Sequence, residues 1–307
     1  MKNTYQKTVH NSVSFTGTGL HSGKKSKIKI LPGNEDSGII FKRIDLTKNN
    51  LINANYQNVC STTLSTTLKN EYGIKVSTVE HLLAALYIAG IDSAIIEVDS
   101  EEIPIMDGSA KIFLDVLKKT ELKQLSSKVQ YLKILEKIEL KDGDRKIEIL
   151  PNESFEVDFE LEYKNKIIGN QRNQVNFQND DLSDVQESRT FCLYKDIKKI
   201  KEMGLAKGGS LENAIVVDEN KVMNDGGLRN SKEFVNHKIL DLAGDFLLSG
   251  YKILGKVYCH QGGHQLSNLF LHKLVKSKNK YEIFNFNENI VKKSQPTKSH
   301  FKLAANA

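Results

Sequence analysis

One pattern, written twice, constrains the fold more than any other. In the first half of the chain "EHLLAALYIAG" is followed by "SAIIEVD" and "GSAKIFLDVL"; in the second, "HKILDLAGDFLLSG" is followed by "KILGKVYC" and "GHQLSNLFLHKLV". Each trio reads as an amphipathic helix closed by a glycine, then a β-branched strand, then a second helix. Both opening helices carry an early histidine, His81 and His237, and end at a glycine, Gly90 and Gly250. Identity between the halves is too low to establish duplication. The shared order nonetheless predicts an α+β chain of two similar domains, each a layered sheet with helices. Strand-like runs precede both trios: "SKIKILP" and "GIIFKRI" in one half, and "QYLKIL", "KIELKDGDRKIEIL" around an Asp-Gly turn, and "FEVDFELEY" in the other. The boundary is expected within "KQLSSKVQ", which gives residues 1–126 and 127–290, with 291–307 as a peripheral tail.

Composition narrows the class. At 307 residues, 39% hydrophobic and 27% charged, the chain suits a soluble globular protein of one large or two smaller domains. The opening "MKNTYQKTVHNSVSF" lacks the apolar segment of a secretory signal, and no run is long and apolar enough to span a membrane. Three scattered cysteines (Cys60, Cys192, Cys259) without a CxxC suit reduced thiols in a cytoplasm, and make cysteine a poor candidate metal ligand. The net charge of +6 is spread along the chain, as a solvated surface requires. It is also compatible with an anionic small substrate or peripheral contact with a membrane surface.

Chemistry concentrates on the helix expected over residues 231–249. At about 100° per residue His237, Asp241 and Asp245 fall within about 80° of arc, while Val235, Ile239, Leu242, Ala243 and Phe246 form the opposite, core-facing stripe. A histidine and an aspartate four apart are common on a solvated helix face. Here Phe234 and Leu248 at the ends of the stripe argue that something covers it, and the pair has the reach to hold one small cation. A hydrolytic zinc site needs three protein ligands and an open position, so a third ligand should be another histidine or an acid. His10, His272 and His300 read as surface residues, and His260 is ambiguous. His81 stands apart: Glu80 precedes it, and the small Ala84 and Ala85 on the same side would let a partner helix come close. Glu80 has two readings. It completes a capping box with Ser77 as the N-cap, or it takes a proton from water beside a ligand histidine. His264, at a helix start after the glycines of "CHQGGHQLSN", is either a surface residue or a cationic group oriented by an acid such as Asp245.

Longer motifs go beyond spacing. "GTGLHSG", "STVEHLLAAL", "EIPIMDGSA", "SRTF", "AKGGSLENAIVV", "LRNSKEFVNHKILDLAGD" and "GGHQLSN" occur in this order between about residues 5 and 280. Together they closely resemble the UDP-3-O-acyl-N-acetylglucosamine deacetylases of lipid A synthesis. The resemblance implies a zinc-dependent amidase with one Zn²⁺ per chain and its active site between two α+β domains. It implies His81, His237 and Asp241 as zinc ligands, Glu80 as general base, and His264, held by Asp245, as general acid or oxyanion stabiliser. Thr190 would hydrogen-bond the tetrahedral intermediate, Phe191 would pack on the sugar, and Lys238 would meet the diphosphate. Tyr163 would stack on uracil, although "KNKIIGNQ" after it has Asn-Lys where the family usually has His-Pro. An insert at about 193–223 would hold the acyl chain, with Ile197, Ile200, Leu205, Ala206, Leu211 and Ala214 as lining residues and Lys207 as a polar departure. The implied reaction is attack of zinc-activated water on the acetamide, releasing acetate and UDP-3-O-acyl-glucosamine, the committed step of lipid A synthesis. The expected protein is a cytoplasmic monomer acting on an acylated UDP-amino sugar.

Three other readings compete. A zinc amidase acting on a different N-acyl sugar is disfavoured by the Thr190, Lys238 and Tyr163 set. A nucleic-acid-binding protein would need a basic stripe interleaved with aromatics, which the chain lacks. A helix–helix interaction module using the His/Asp stripe would bind no metal.

Overall fold

The structure, a computed structural model, describes residues 4–286. The expected tail at 291–307, with His300, lies outside the described residues.

The first domain is built on strands β1 (Val13–Thr18), β2 (Lys25–Pro32), β3 (Ile39–Arg43), β4 (Leu51–Asn53) and β5 (Ala94–Val98), with helices α1 (Glu80–Ala89) and α2 (Lys111–Leu117). The second uses β6 (Ile138–Asp142), β7 (Arg145–Leu150), β8 (Phe155–Glu162), β9 (Asn170–Asn176) and β10 (Lys252–His260). Its helices are α3 (Ser183–Glu187), α4 (Ile197–Glu202), α5 (Glu233–Leu247) and α6 (His264–Lys276). Strand order in the first sheet is β1-β2-β5-β3-β4. In the second, β6-β7-β10-β8-β9 repeats it, and the strands at 131–134 and 281–284 extend that sheet. The directions match as well: β5 runs antiparallel to β2 and parallel to β3, as β10 does to β7 and β8. Each central strand arrives from one helix and leaves to another, so the helix–strand–helix rhyme of the sequence is a rhyme of topology. A strand at 122–128 returns to pair with the strand at 5–9.

Alternation sets the sheet faces. Ile28 and Ile30 of β2, Phe41 of β3 and Ile96 and Val98 of β5 all point into one core, opposite partners such as Ile30↔Ile96 and Phe41↔Ile96. Phe155, Val157, Phe159 and Leu161 of β8 do the same in the second domain. The two cores meet where α1 packs against α5. Both helices are buried almost all round, so the polar stripe of α5 is covered, as its flanking Phe234 and Leu248 implied. Gly244 makes the approach close: a Cβ at that position would stand 2.1 Å from the Glu80 carbonyl oxygen and 3.2 Å from the Ala84 nitrogen.

Two local expectations give way. The helix expected over 231–249 spans only Glu233–Leu247; at its start the Asn230 side chain takes the Lys232 N–H and turns the chain before Glu233. The capping box at Ser77 does not form. Ser77 bridges to Glu102 and donates its hydroxyl to the Glu101 carbonyl, Thr78 adopts φ 57°, and α1 starts only at Glu80 without a side-chain cap.

Candidate metal centre and active site

Glu80 and His81 open α1, while His237, Asp241 and Asp245 occupy three successive turns of α5. The helix pair therefore brings residues about 160 positions apart in sequence into one buried cluster. Asp241 Oδ1 lies 3.3 Å from His237 Nε2 and 3.5 Å from His81 Nε2. It is buried and accepts no hydrogen bond. His237 Nδ1 sits 3.0 Å from the Ser188 carbonyl, which can only accept, so Nδ1 carries the proton and Nε2 presents its lone pair. Burial pushes the His237 pKa down to about 3, against the pull of Asp241, so the ring is neutral. Asp241 is held well below the ordinary carboxylate range: burial opposes this, but neighbouring cations, Lys238 and His264 among them, outweigh it.

This donor set fits zinc. Bonds of about 2.0–2.2 Å in a tetrahedron place ligand atoms roughly 3.4 Å apart, close to the two distances above. A buried carboxylate oxygen with no hydrogen bond is otherwise costly, by about 1–3 kcal/mol or more for a charged group. A second His/carboxylate group, Glu160, Glu162 and His260, is more exposed, and Glu160 Oε2 there already accepts from the Tyr258 hydroxyl.

Glu80, His264 and Asp245 adjoin this His/Asp cluster. Glu80 Oε2 accepts the Thr66 N–H at 3.0 Å, and Oε1 lies 3.8 Å from His264 Nε2. Burial raises the Glu80 pKa despite the nearby His264 and His81. Asp245 takes the Thr66 hydroxyl on Oδ1 at 2.7 Å and His264 Nδ1 on Oδ2 at 2.9 Å. Burial disfavours the His264 cation, yet Asp245, Glu80 and Asp241 together push its pKa up to about 10. Its Nε2 also lies 3.9 Å from Asp241. Lys238 donates to Asp241 Oδ2 at 2.8 Å and lies 5.5 Å from the centre of the Phe191 ring.

Glu80, His81, His237, Lys238, Asp241 and His264 line a cavity of about 300 Å³ that also takes in Thr190 and Arg145. Thr190 spends its main-chain N–H on Gly108 and its carbonyl on Ile215, which leaves the side chain toward the cavity. Gly108, at φ 83°, lies so close to Asn213 that a Cβ would stand 2.1 Å from the Asn213 carbonyl oxygen, which joins the loop before α2 to the segment between α4 and the strand at 215–217. The Phe191 ring is 5.8 Å from that of Tyr163 and 5.0 Å from that of Phe234. Tyr163 is half-buried beside Phe191 and lines neither this cavity nor the next. In the stretch after it, Asn165 builds the turn and donates to the Asp218 carbonyl.

Leu20, Leu64, Thr190 and Phe191 are shared with a second, largely apolar cavity of about 330 Å³. The segment from β-strand 191–193 through α4 to the strand at 215–217 walls it, and those two strands pair in parallel. Ile197, Ile200, Ala206, Leu211 and Ala214 line it; Leu205 does not. Lys207 is exposed, and its N–H donates to the His21 carbonyl of the first domain.

Residue-by-residue reading missed three participants. His21, within "GTGLHSG", lines the apolar cavity with a buried Nε2 that has no hydrogen-bond partner among the described residues. Thr66 orients both Glu80 and Asp245, and Arg145, the first residue of β7, lines the 300 Å³ cavity. Nothing local marks any of them except the motif around His21. His10 is exposed as expected, His272 sits edge-on to Tyr56 at 4.9 Å, and all three cysteines are free.

The family model described as UDP-3-O-acyl N-acetylglycosamine deacetylase matches residues 6–276. A protein of Idiomarina loihiensis named UDP-3-O-acyl-N-acetylglucosamine deacetylase is 40% identical over 286 residues, 92% of this chain and 94% of the relative. Proteins of the same name from Shewanella baltica and Shewanella frigidimarina are each 41% identical, over 92% of this chain and 93% and 94% of the relatives.

Proposed function

The chain belongs to the UDP-3-O-acyl N-acetylglycosamine deacetylase family, and from that premise we propose that it hydrolyses the N-acetyl group of UDP-3-O-acyl-N-acetylglucosamine with one zinc ion per chain. The observation that carries the zinc is the unpartnered Asp241 oxygen between two imidazole nitrogens, walled in by helices of both halves. His81, His237 and Asp241 would hold the ion. Bound there, it would act as a Lewis acid toward the amide carbonyl and lower the pKa of water to around 7.

The chain's own residues do the rest. Glu80, raised by burial, accepts the proton of the attacking water at neutral pH. The Thr66 N–H holds Oε2, which leaves Oε1 facing the cluster. As the carbonyl becomes tetrahedral, the Thr190 hydroxyl donates to its oxygen, and cationic His264 adds charge stabilisation. Asp245 keeps His264 oriented through Nδ1, so Nε2 delivers the proton to the departing amine. The C–N bond breaks, acetate leaves, and one water has been consumed. Lys238 reaches the sugar diphosphate by leaving Asp241, its partner here, and Phe191 supports the sugar ring. The apolar cavity beside Thr190 accepts the 3-O-acyl chain along Ile197, Ala206 and Leu211. We further propose the division into residues 1–126 and 127–290, supported by the repeated strand order, and a cytoplasmic setting, supported by three free thiols.

The test is zinc per chain together with acetate release before and after chelation. One zinc, activity lost on chelation and activity restored by metal are expected. Bound zinc without turnover of this substrate would overturn the substrate assignment, and turnover without zinc would overturn the metal assignment.

A further inference from the structure

The rim of the apolar cavity is unusual for a protein surface. Tyr194, Met203, Leu211 and Leu64 are 54%, 53%, 45% and 50% exposed, and three of the four also line the cavity. Met203 directly follows α4, whose Ile197 and Ile200 face the cavity. Large apolar side chains gathered at the mouth of an apolar passage mark a contact surface rather than scattered exposure. Charge says what kind. Lys195, Lys198 and Lys199 are exposed on the same short segment and make no ion pair among the described residues. Across residues 194–212 five lysines stand against the acids Asp196, Glu202 and Glu212. Apolar side chains beside unpaired lysines match the interface of an anionic bilayer, where the rings and chains enter the headgroup boundary and ammonium groups meet lipid phosphates.

We infer that the mouth of the apolar cavity is a peripheral membrane-docking surface, by which the protein engages an anionic phospholipid bilayer. No helix among the described residues is long and apolar enough to cross a membrane, so the contact is one of surface attachment. Its consequence rests on the proposed function: an acylated sugar nucleotide could pass its chain between bilayer and cavity without exposing that chain to water.

The test uses the full zinc-loaded chain and sedimented vesicles, either wholly zwitterionic or containing about one-third anionic phospholipid. Preferential binding to the anionic vesicles is expected, weakened by raising salt because exposed charges are screened. Each lysine near such a surface contributes about fivefold in partitioning, so the triple change Lys195→Glu, Lys198→Glu, Lys199→Glu should lower it by more than about tenfold. Met203→Ser should lower it several-fold at unchanged charge. Both variants should release acetate from a short-acyl, water-soluble substrate at the wild-type rate, which shows that fold and site are intact. Equal binding to both vesicle types, insensitivity to the lysine reversals, or a Met203→Ser effect on self-association instead of vesicle binding would overturn the inference. No acetate release by any form would instead overturn the proposed function and leave the vesicle result to be judged alone.

Discussion

Gly244→Ala tests how the site is assembled. The added methyl would stand 2.1 Å from the Glu80 carbonyl oxygen and 2.9 Å from its carbon. Both are backbone atoms of α1, so no flexible side chain can yield. An ordinary contact would need roughly 1 Å more, and the helices must separate by about that amount. Overpacking of this kind costs about 1–3 kcal/mol. Alanine returns about 1 kcal/mol over glycine in a helix interior, so with the contact at its upper end the net loss is roughly 2 kcal/mol. The larger effect should be on chemistry. Glu80 and His81 ride on α1, while His237, Asp241 and Asp245 ride on α5. A displacement of about 1 Å between them should lower kcat/KM by roughly 10²-fold. Urea denaturation gives the stability change, and acetate release well below the unfolding midpoint gives the activity of folded protein. Elemental analysis then shows whether zinc is retained. A variant as stable as wild type, or more so, with kcat/KM within about threefold would refute the claim that this contact sets the spacing of the site.

Three further outcomes follow from other contacts. Asp241→Asn should lose bound zinc and at least about 10²-fold in activity while remaining folded, since the change removes a charge and no volume; elemental analysis and acetate release check it. Glu233→Ala should cost about 3–5 kcal/mol in urea denaturation, because Glu233 is wholly buried and accepts the Arg189 guanidinium and main-chain N–H as well as the Arg229 N–H. Hydrogen bonding to Arg43 lowers the Asp45 pKa, although burial opposes it. A lowered carboxylate stabilises the fold above its unfolded value, about 3.9, and that contribution fades as pH falls through the folded value. Asp45→Asn should therefore lower stability by about 0.5 kcal/mol at pH 7, with the difference from wild type closing below about pH 4 in paired denaturation curves.

Much of this molecule was legible in one dimension because its signals are periodic and local. Alternation in "FEVDFELEY" and the i, i+4 stripe of α5 depend only on neighbours a few residues away, and both survive as β8 and α5. The long motifs carried the family resemblance for a related reason: close packing around a cluster leaves little freedom in residues such as Gly244 and Gly108. Glu80 shows where local reading stops. Its position three residues after Ser77 satisfies a capping box, yet its carboxylate goes to the Thr66 N–H and faces His264. Thr66, His21 and Arg145 carry no periodic signal, because Thr66 and His21 lie on loop or turn residues and Arg145 only begins a strand. The amino-acid order alone determined which segments are helix and strand and which helices bear ionisable groups, since backbone hydrogen bonding and apolar periodicity are short-range. Only the tertiary structure decided that the polar face of α5 is buried against α1, because long-range packing alone takes His237, Asp241 and Glu80 out of water and sets their charge states.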